Sequence, residues 1–256
     1  MCRRNRGDEA HRGDMVWSAA VPEELRSRAT AVIGNFPVSQ ASQYTRLEWL
    51  QTFSAGVDAY ICPGVLPRGT MVTNASGAYG QSVSEHMFAT MWALMKNLNR
   101  YASNQRDHQW QDEGPVLSPE GGIALIIGVG DIGSHFAQLA QSVGMRTFGV
   151  RRHADVPAKG IEKMYGFERL ETLLPLADVV AMAVPRSPQT HHLLNADRLG
   201  RLKSTAIVIM PGVATPSIPR PWLTPCTMDG STVPDWTSPS LSRCRRKVRC
   251  GMSRIA

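Results

Sequence analysis

The chain has 256 residues, of which 43% are apolar and 19% charged, and this length and composition are ordinary for a globular protein with one large domain or two small ones. The formal charge of +7 lies at the two ends: residues 1–13 contribute +2, residues 210–256 contribute +5, and the segment between them balances to zero. We therefore expect no nucleic-acid partner, because the basic residues sit in two end segments without aromatic residues interleaved among them.

Short β-rich runs alternate with helical patterns along the chain. They read TAVIG (30–34), IALIIG (123–128), RTFGV (146–150), DVVAMAV (178–184) and TAIVI (205–209). This alternation predicts an α/β fold with a parallel sheet and helices on its faces. Continuous apolar strands such as ALII fit burial on both sides of that sheet.

A long helix is predicted over residues 82–105, between the first strand and the others. Ser82 or Ser84 could cap its start, and residues 108–122 read as a loop, which places a domain boundary near residues 100–120. One face of the predicted helix carries Val83, Met87, Met91, Leu94, Met95 and Leu98. A methionine-rich face of this kind is more typical of a core than of a cofactor site.

A glycine motif follows the second strand and carries the clearest chemistry. The residues are Gly128, Val129, Gly130, Asp131, Ile132 and Gly133. The pattern GxGxxG between an apolar strand and an amphipathic helix is typical of a dinucleotide-binding loop. Gly128 permits the tight turn, Gly130 lets the backbone approach a diphosphate, and Gly133 lets helix and strand pack closely. The alternative is a glycine-rich turn without a ligand.

The residues after the next strand indicate which dinucleotide is preferred. An NAD site usually has an acidic residue there for the ribose hydroxyls, but this chain has Arg151, Arg152 and His153. Two guanidinium groups suit a 2′-phosphate, so NADP is favoured over NAD. A solvated basic strand end is the alternative interpretation.

Several stretches in the same order resemble the D-isomer-specific 2-hydroxyacid dehydrogenases over residues 21–209. They read VIGNFP (32–37), LEWLQTFSAGVD (47–58), TNASGAYGQSVSEHMFA (73–89), the glycine motif, LLPLADVVAMAVPRSPQTHHLLN (173–195) and LGRLKSTAIVI (199–209). The resemblance implies a Rossmann-like doubly wound domain over 82–209 and, over 21–81, part of an incomplete flavodoxin-like substrate domain. Residues 1–20 are atypical for the family, and the family's members usually dimerise through the Rossmann domain.

The resemblance also implies roles for individual residues. Ser54, Ala55, Gly56 and Val57 would form the loop whose amides hold a substrate carboxylate. Val184 and Pro185 would line the nicotinamide, with Pro188 and Thr190 in the loop beyond. His86, His191 and His192 match a helix and a surface loop of the family, so we interpret them as bystanders.

The resemblance ends at residue 209, and residues 210–256 form a proline-rich tail. The family continues with a Gly-Arg-Gly turn and then a carboxylate–His pair, whereas this chain reads MPGVATPSIP. Plausible codons for that stretch, read one nucleotide out of phase, give AGRGNAIDT, so we interpret the tail as out-of-frame translation. The family's arginine would lie under the codons for Gly212 and Val213, and its acid and histidine further on. We therefore assign no catalytic residue, and Arg220 and Arg243 do not match the missing arginine.

The resemblance implies an oxidoreductase that transfers hydride between NAD(P)H and a small 2-oxo or 2-hydroxy acid, similar to glyoxylate or hydroxypyruvate reductases, and the break at residue 210 predicts little or no turnover in this chain. The alternatives are a non-catalytic dinucleotide-binding fragment and a gene-model artefact without a stable fold. The five cysteines form no CxxC pair, and no apolar run is long enough to span a bilayer. We expect a cytoplasmic protein, a homodimer if the fold is intact, with no membrane partner and no metal site.

Overall fold

The structure is a computed structural model that describes residues 21–185, 187, 189–190 and 192–211, together with the backbone of 249–253. The chain divides into two compact units, Met1–Ala75 and Ser76–Ala256. The predicted α/β fold class is confirmed, because both units are built on parallel sheets. In the part of the chain that is described, no helix is long and apolar enough to cross a membrane.

The first unit contains a three-stranded parallel sheet in the order β1-β2-β3. Its elements are α1 (Glu23–Arg26), β1 (Ala31–Ile33), a 3-10 helix (Val38–Gln43), β2 (Trp49–Gln51) and β3 (Met71–Thr73). The central residues Val32, Leu50 and Val72 are in register, and Leu50 is fully buried. Their neighbours Ile33, Trp49 and Met71 are exposed on the opposite face.

Aromatic packing closes the core of this first unit. The ring of Phe36 stacks on Tyr44 with centroids 4.2 Å apart and meets Tyr60 edge-on at 5.3 Å. The Tyr60 hydroxyl accepts a hydrogen bond from the Phe36 amide at 3.0 Å and donates one to its carbonyl at 2.5 Å. Burial raises the pKa of the Tyr44 phenol, which keeps that side chain neutral in the core.

The second unit is a Rossmann-like, doubly wound sheet in the order β6-β5-β4-β7-β8-β9, with every pair parallel. Its strands are β4 (Ile123–Ile127), β5 (Arg146–Val150), β6 (Lys163–Tyr165), β7 (Val179–Met182), β8 (Ile207–Pro211) and β9 (Arg249–Ser253). Its helices are α2 (Gly80–Met95), α3 (Leu98–Arg106), α4 (Asp131–Ser142), α5 (Leu170–Leu173) and α6 (Ala196–Gly200), with 3-10 helices at Phe167–Arg169 and Leu174–Leu176. The strand order reverses at β4, between β5 and β7, which creates the switch point where ligands of such sheets bind.

Both faces of this second sheet are covered, as the continuous apolar strands predict. Along β4, Leu125 and Ile127 contribute to one core cluster, while Ala124 and Ile126 contribute to the other. All four side chains have no exposed surface. The second cluster also contains the predicted core residues Met87, Met91, Leu94 and Met95 of α2.

The helix predicted over residues 82–105 is two helices, because the chain turns at Asn97. The Asn97 backbone is left-handed, with φ of 54°, and its buried side chain donates to the carbonyl of Glu113 at 3.2 Å. Leu98, predicted on the core face, begins α3 instead and is half exposed. A tertiary hydrogen bond thus fixes a break that the hydrophobic periodicity does not predict.

The predicted serine cap of this helix is also wrong. The N-cap residue is Tyr79, whose side chain makes no capping hydrogen bond to the helix. The Ser84 hydroxyl donates to the Gln81 carbonyl at 2.8 Å, within the first turn, and so is not available as a cap. The start of α2 is therefore left without a cap of its own.

Asp178, just before β7, joins three segments at the amino ends of the strands. Its Oδ2 accepts from the Ile123 amide at 2.9 Å and its Oδ1 lies 2.6 Å from Lys203 Nζ. We expect Asp178→Ala to lower the free energy of unfolding by about 2 kcal/mol, because the Ile123 amide loses its acceptor. Lys203→Met removes only a partly exposed ion pair and should cost under about 1 kcal/mol. Urea unfolding of the full chain measures both, and equal losses would contradict the role given to the amide bond.

Candidate functional site

The glycine motif forms a tight loop between β4 and α4. Gly128 has φ of +91°, and a Cβ there would lie 2.5 Å from the carbonyl oxygen of Ala183, just beyond β7. The Gly128 amide donates to the Val150 carbonyl at the end of β5, at 2.9 Å. The loop therefore lies where β4, β5 and β7 end together, and only glycine fits its first position.

The remaining two glycines of the motif have different surroundings. A Cβ at Gly133 would overlap the carbonyl oxygen of Gly128, so α4 packs directly on the loop. A Cβ at Gly130 would meet no other atom within 4 Å. Within the described residues, the amides of Gly130, Asp131 and Ile132 donate to no acceptor. Open space beside free amides at the start of a 12-residue helix fits the diphosphate of a dinucleotide.

The two arginines after β5 lie in different environments. Arg151 donates from Nε to the His153 carbonyl at 2.9 Å and from Nη1 to the Val129 carbonyl at 3.4 Å, and its Nη2 contacts the Val156 carbonyl. Its guanidinium group thereby holds the segment after β5 against the glycine loop. Arg152 is exposed and makes no hydrogen bond or ion pair with any residue that the structure describes.

The loop after β7 carries the predicted nicotinamide residues beside the glycine motif. The Ala183 amide donates to the Ile127 carbonyl at 2.8 Å, which aligns the start of this loop with the start of the glycine loop. The Thr190 hydroxyl donates to the Pro185 carbonyl at 2.7 Å and accepts from the Ser187 amide at 2.9 Å. Thr190 thus shapes the loop, while Val184 packs against the core of the sheet.

Of the three histidines interpreted as bystanders, the structure describes His86 and His192. His192 is exposed on a turn with φ of 54°, and His86 lies in α2. The predictions made for Pro188, His191 and the tail residues Gly212, Val213, Arg220 and Arg243 fall outside the described residues.

The predicted substrate loop, Ser54 to Val57, lies in the first unit after β2. Its carbonyls are engaged: that of Ser54 accepts from the Thr52 hydroxyl at 2.8 Å and that of Ala55 accepts from Asn74 Nδ2 at 2.8 Å. The Gly56 carbonyl accepts from the Ser54 hydroxyl, also at 2.8 Å. Within the described residues, the amides of Ser54 to Val57 donate to no acceptor. A loop with engaged carbonyls and free amides can bind an anion.

Sequence reasoning missed the side chains that hold this loop in place. Asn35 accepts from the Phe53 amide at 2.9 Å and donates to the Ser54 hydroxyl at 3.3 Å. Asn74 and Thr52 donate hydrogen bonds to the loop carbonyls. Asn35 and Asn74 lie inside the stretches VIGNFP and TNASG. An asparagine in an otherwise apolar or small-residue stretch was the sequence signal that could have identified these supporting side chains.

One shifted pKa in the second unit belongs to an ion pair that lies away from the glycine loop. The hydrogen bond and charge of Arg146 hold the pKa of the Glu162 carboxyl below its usual range. Arg146 begins β5, whereas Arg151 and Arg152 follow its end. This pair therefore supports the sheet rather than the site.

The fold and the glycine loop define a Rossmann-like dinucleotide-binding unit, and comparison with known proteins agrees. Residues 88–213 match the family described as D-isomer specific 2-hydroxyacid dehydrogenase, NAD binding domain. The chain is 26% identical to glycerate dehydrogenase of Methylorubrum extorquens over 77% of this chain and 63% of that protein. It is 28% identical to glyoxylate reductase of Thermofilum pendens over 64% of this chain and 50% of that protein.

A solved structure is similar as well. It is a D-isomer specific 2-hydroxyacid dehydrogenase family protein from Aeromonas salmonicida, with a TM-score of 0.67 and 30% identity over 74% of this chain and 62% of that one. Residues 88–213 thus carry the NAD-binding domain of the D-isomer-specific 2-hydroxyacid dehydrogenases, a family of NAD-dependent oxidoreductases. Its cofactor class is a nicotinamide dinucleotide. The chain spans half to just under two-thirds of the length of these relatives.

Proposed function

We propose that this chain binds NAD(P)H at the glycine loop and derives from an enzyme that reduces small 2-oxo acids, such as glyoxylate or hydroxypyruvate, to 2-hydroxy acids. The observation that carries the proposal is the open space over Gly130 beside three amides at the start of α4 that donate to no acceptor among the residues described. The names of the relatives, glyoxylate reductase and glycerate dehydrogenase, support this substrate class. When bound, the dinucleotide supplies the hydride.

NADP is the preferred form of the cofactor in this proposal. Arg152 supports the preference, because it is exposed at the end of β5 without a protein partner among the described residues. A guanidinium group in that position can make charge-assisted hydrogen bonds to a 2′-phosphate. Arg151 would contribute mainly by fixing the segment that carries Arg152, since its own donors contact backbone carbonyls.

The amides of Ser54 to Val57 are proposed to hold the substrate carboxylate. The support is the pattern in which side chains of Thr52 and Asn74 donate to the carbonyls of the loop, while its amides donate to no acceptor in the described part of the chain. Small residues at 55 and 56 keep the backbone accessible to an anion. The loop binds and orients in this proposal and transfers no proton.

Turnover by this chain is proposed to be low or absent, because residues 210–256 are an out-of-frame tail. The match to the family ends at residue 213, close to the predicted break at 210. No residue of the chain is assigned to the family's arginine, acid or histidine, so the proposal names no general acid for the substrate oxygen. The second candidate function is therefore a non-catalytic dinucleotide-binding protein, which the complete glycine loop favours.

The test is a titration of the purified full chain with NADPH, followed by its nucleotide fluorescence, and an assay of glyoxylate and hydroxypyruvate reduction at 340 nm. We expect saturable NADPH binding with little or no turnover. A matched protein made from the gene with one nucleotide inserted before codon 210 should gain turnover. Absence of saturable binding in both proteins would overturn the cofactor proposal, and full activity of the chain as given would overturn the loss of catalysis.

We also propose a homodimer formed through the second unit. We take as the interface patch four large apolar side chains of segment 98–116, which are Leu98, Tyr101, Trp110 and Val116, all exposed, with Trp110 projecting fully into solvent. Such a patch is costly to leave in water and typical of an interface. Light scattering behind a sizing column should give twice the chain mass of 28.1 kDa, and Trp110→Lys should give the monomer mass. A monomeric parent chain would contradict the proposal, and Val156→Lys, at an exposed residue outside the patch, is the control.

A cytoplasmic location is the remaining proposal. Cys62 is a free, exposed thiol in the described part of the chain. Exposed unpaired thiols are typical of a reducing compartment. Fractionation of cells that express the tagged chain tests this location, and recovery in a secreted fraction would contradict it.

A further inference from the structure

Two helix starts meet beside the glycine loop. The 16-residue helix α2 begins at Gly80 and has neither a side-chain cap nor an acidic residue in its first turn. The helix α4, which offers its amides at the glycine loop, begins at Asp131. The positive end of the α2 dipole therefore has no neutralising group of its own.

The carboxylate of Asp131 lies against this uncapped start of α2. A Cβ added at Gly80 would overlap both carboxylate oxygens of Asp131, so the two residues are in direct contact. On its other side, the carboxylate lies 3.3 Å from Nδ1 of His135, one turn along α4. Asp131 thus directs its charge toward α2 and His135, and this contact exists only because residue 80 has no side chain.

That orientation has a consequence for an anionic ligand. A carboxylate in the first turn of a phosphate-binding helix competes with the ligand for the same helix dipole and repels it. Contact with the start of α2 places the carboxylate beside a second positive dipole end. That dipole neutralises part of the negative charge of Asp131 and keeps the charge directed away from the ligand. We propose that Gly80 and Asp131 form a positioning pair that holds this carboxylate clear of the dinucleotide diphosphate. The inference rests on the proposed binding of NAD(P)H at the glycine loop.

The test compares dissociation constants for NADPH and NADH, measured by nucleotide fluorescence, in the full chain and three variants. Gly80→Ala should weaken both dinucleotides about three- to ten-fold, because the added Cβ forces the carboxylate out of its place. Asp131→Asn should bind both at least as tightly as the parent. The double variant Gly80→Ala/Asp131→Asn should bind like Asp131→Asn, because the displaced group no longer carries charge.

Thermal unfolding separates this effect from a loss of structure. Gly80→Ala should melt no lower than the parent, because alanine favours a helix over glycine. Gly200→Ala, at the end of α6 where a Cβ meets nothing within 4 Å, is the matched control and should leave binding unchanged.

Three outcomes would overturn the inference. The first is parent-like binding by Gly80→Ala, and the second is an equally weak double variant, which would make the loss steric rather than electrostatic. The third is a parent chain that binds no dinucleotide, which overturns the proposed function as well. The first two leave NAD(P)H binding by the parent intact, so the two failures can be told apart.

Discussion

Replacing Gly133 by alanine is expected to lower the free energy of unfolding by about 3 kcal/mol. The added Cβ would overlap the carbonyl oxygen of Gly128 and lie 3.1 Å from Cγ2 of Ile126, inside the core under β4. The overlapping atom belongs to the backbone of a tight loop, so relief requires α4 to move away from the sheet. Urea unfolding of the full chain, followed by circular dichroism, measures the loss.

Gly130→Ala is the matched control within the same motif. Its Cβ meets nothing within 4 Å, so the free energy of unfolding should fall by less than about 1 kcal/mol, the range of a changed N-cap residue. The same variant should weaken NADPH binding at least ten-fold, because the Cβ occupies the space proposed for the diphosphate. Equal destabilisation by the two variants would contradict the different roles given to these glycines.

The strands of the second sheet show which parts of the fold the sequence can predict. The strands β4, β7 and β8 overlap the runs chosen from sequence because their residues are apolar without interruption and buried on both sides. The strand β5 also overlaps a predicted run, although it begins with the exposed Arg146. The strands β2, β3 and β6 were missed, since each has only three residues and one of them is polar, whereas the equally short β1 is apolar throughout. Their formation depends on pairing with neighbouring strands, and a single-sequence pattern does not contain that information.

The strand β9 is a further element that the sequence pattern does not predict. It lies in the predicted out-of-frame tail, beyond Pro239, the last of the tail's seven prolines, and pairs in parallel with β8. Pro211 is itself the last residue of β8, and β9 contains none of the tail's prolines. An open sheet edge can accept any segment without proline, whatever its origin, so composition alone does not predict this strand.

The candidate site divides into a part that local sterics encode and a part that they do not. Gly128 and Gly133 were predictable because the first takes a φ of +91° and a Cβ at the second would overlap the carbonyl oxygen of Gly128 within the motif. The inward orientation of Arg151 was not, because it depends on carbonyls of Val129 and Val156 that the fold brings together. The pair Gly80 and Asp131 belongs to this second part, since 50 intervening residues separate its members in the sequence.

Removing both arginines after β5 is expected to change the cofactor preference. The double variant Arg151→Ala/Arg152→Ala should raise the dissociation constant for NADPH about 100-fold, close to 3 kcal/mol, because the 2′-phosphate loses the Arg152 guanidinium group together with the contacts of Arg151 that position it. NADH lacks that phosphate, so its dissociation constant should rise no more than about five-fold. Fluorescence titration with both nucleotides measures the two losses, and equal losses would overturn the assignment of Arg152 to the 2′-phosphate.

The single variants separate the two roles that the geometry suggests. Arg152→Ala should weaken NADPH alone, and Arg152→Lys should restore part of that loss, because an ammonium keeps the charge but not the two-pronged geometry. Arg151→Ala should weaken NADPH and NADH by similar, smaller factors, because it releases the contacts with Val129 and His153 that fix the loop serving both nucleotides. If Arg151→Ala instead discriminated against NADPH as strongly as Arg152→Ala, its guanidinium group would have to leave the backbone carbonyls and reach the phosphate when the dinucleotide binds.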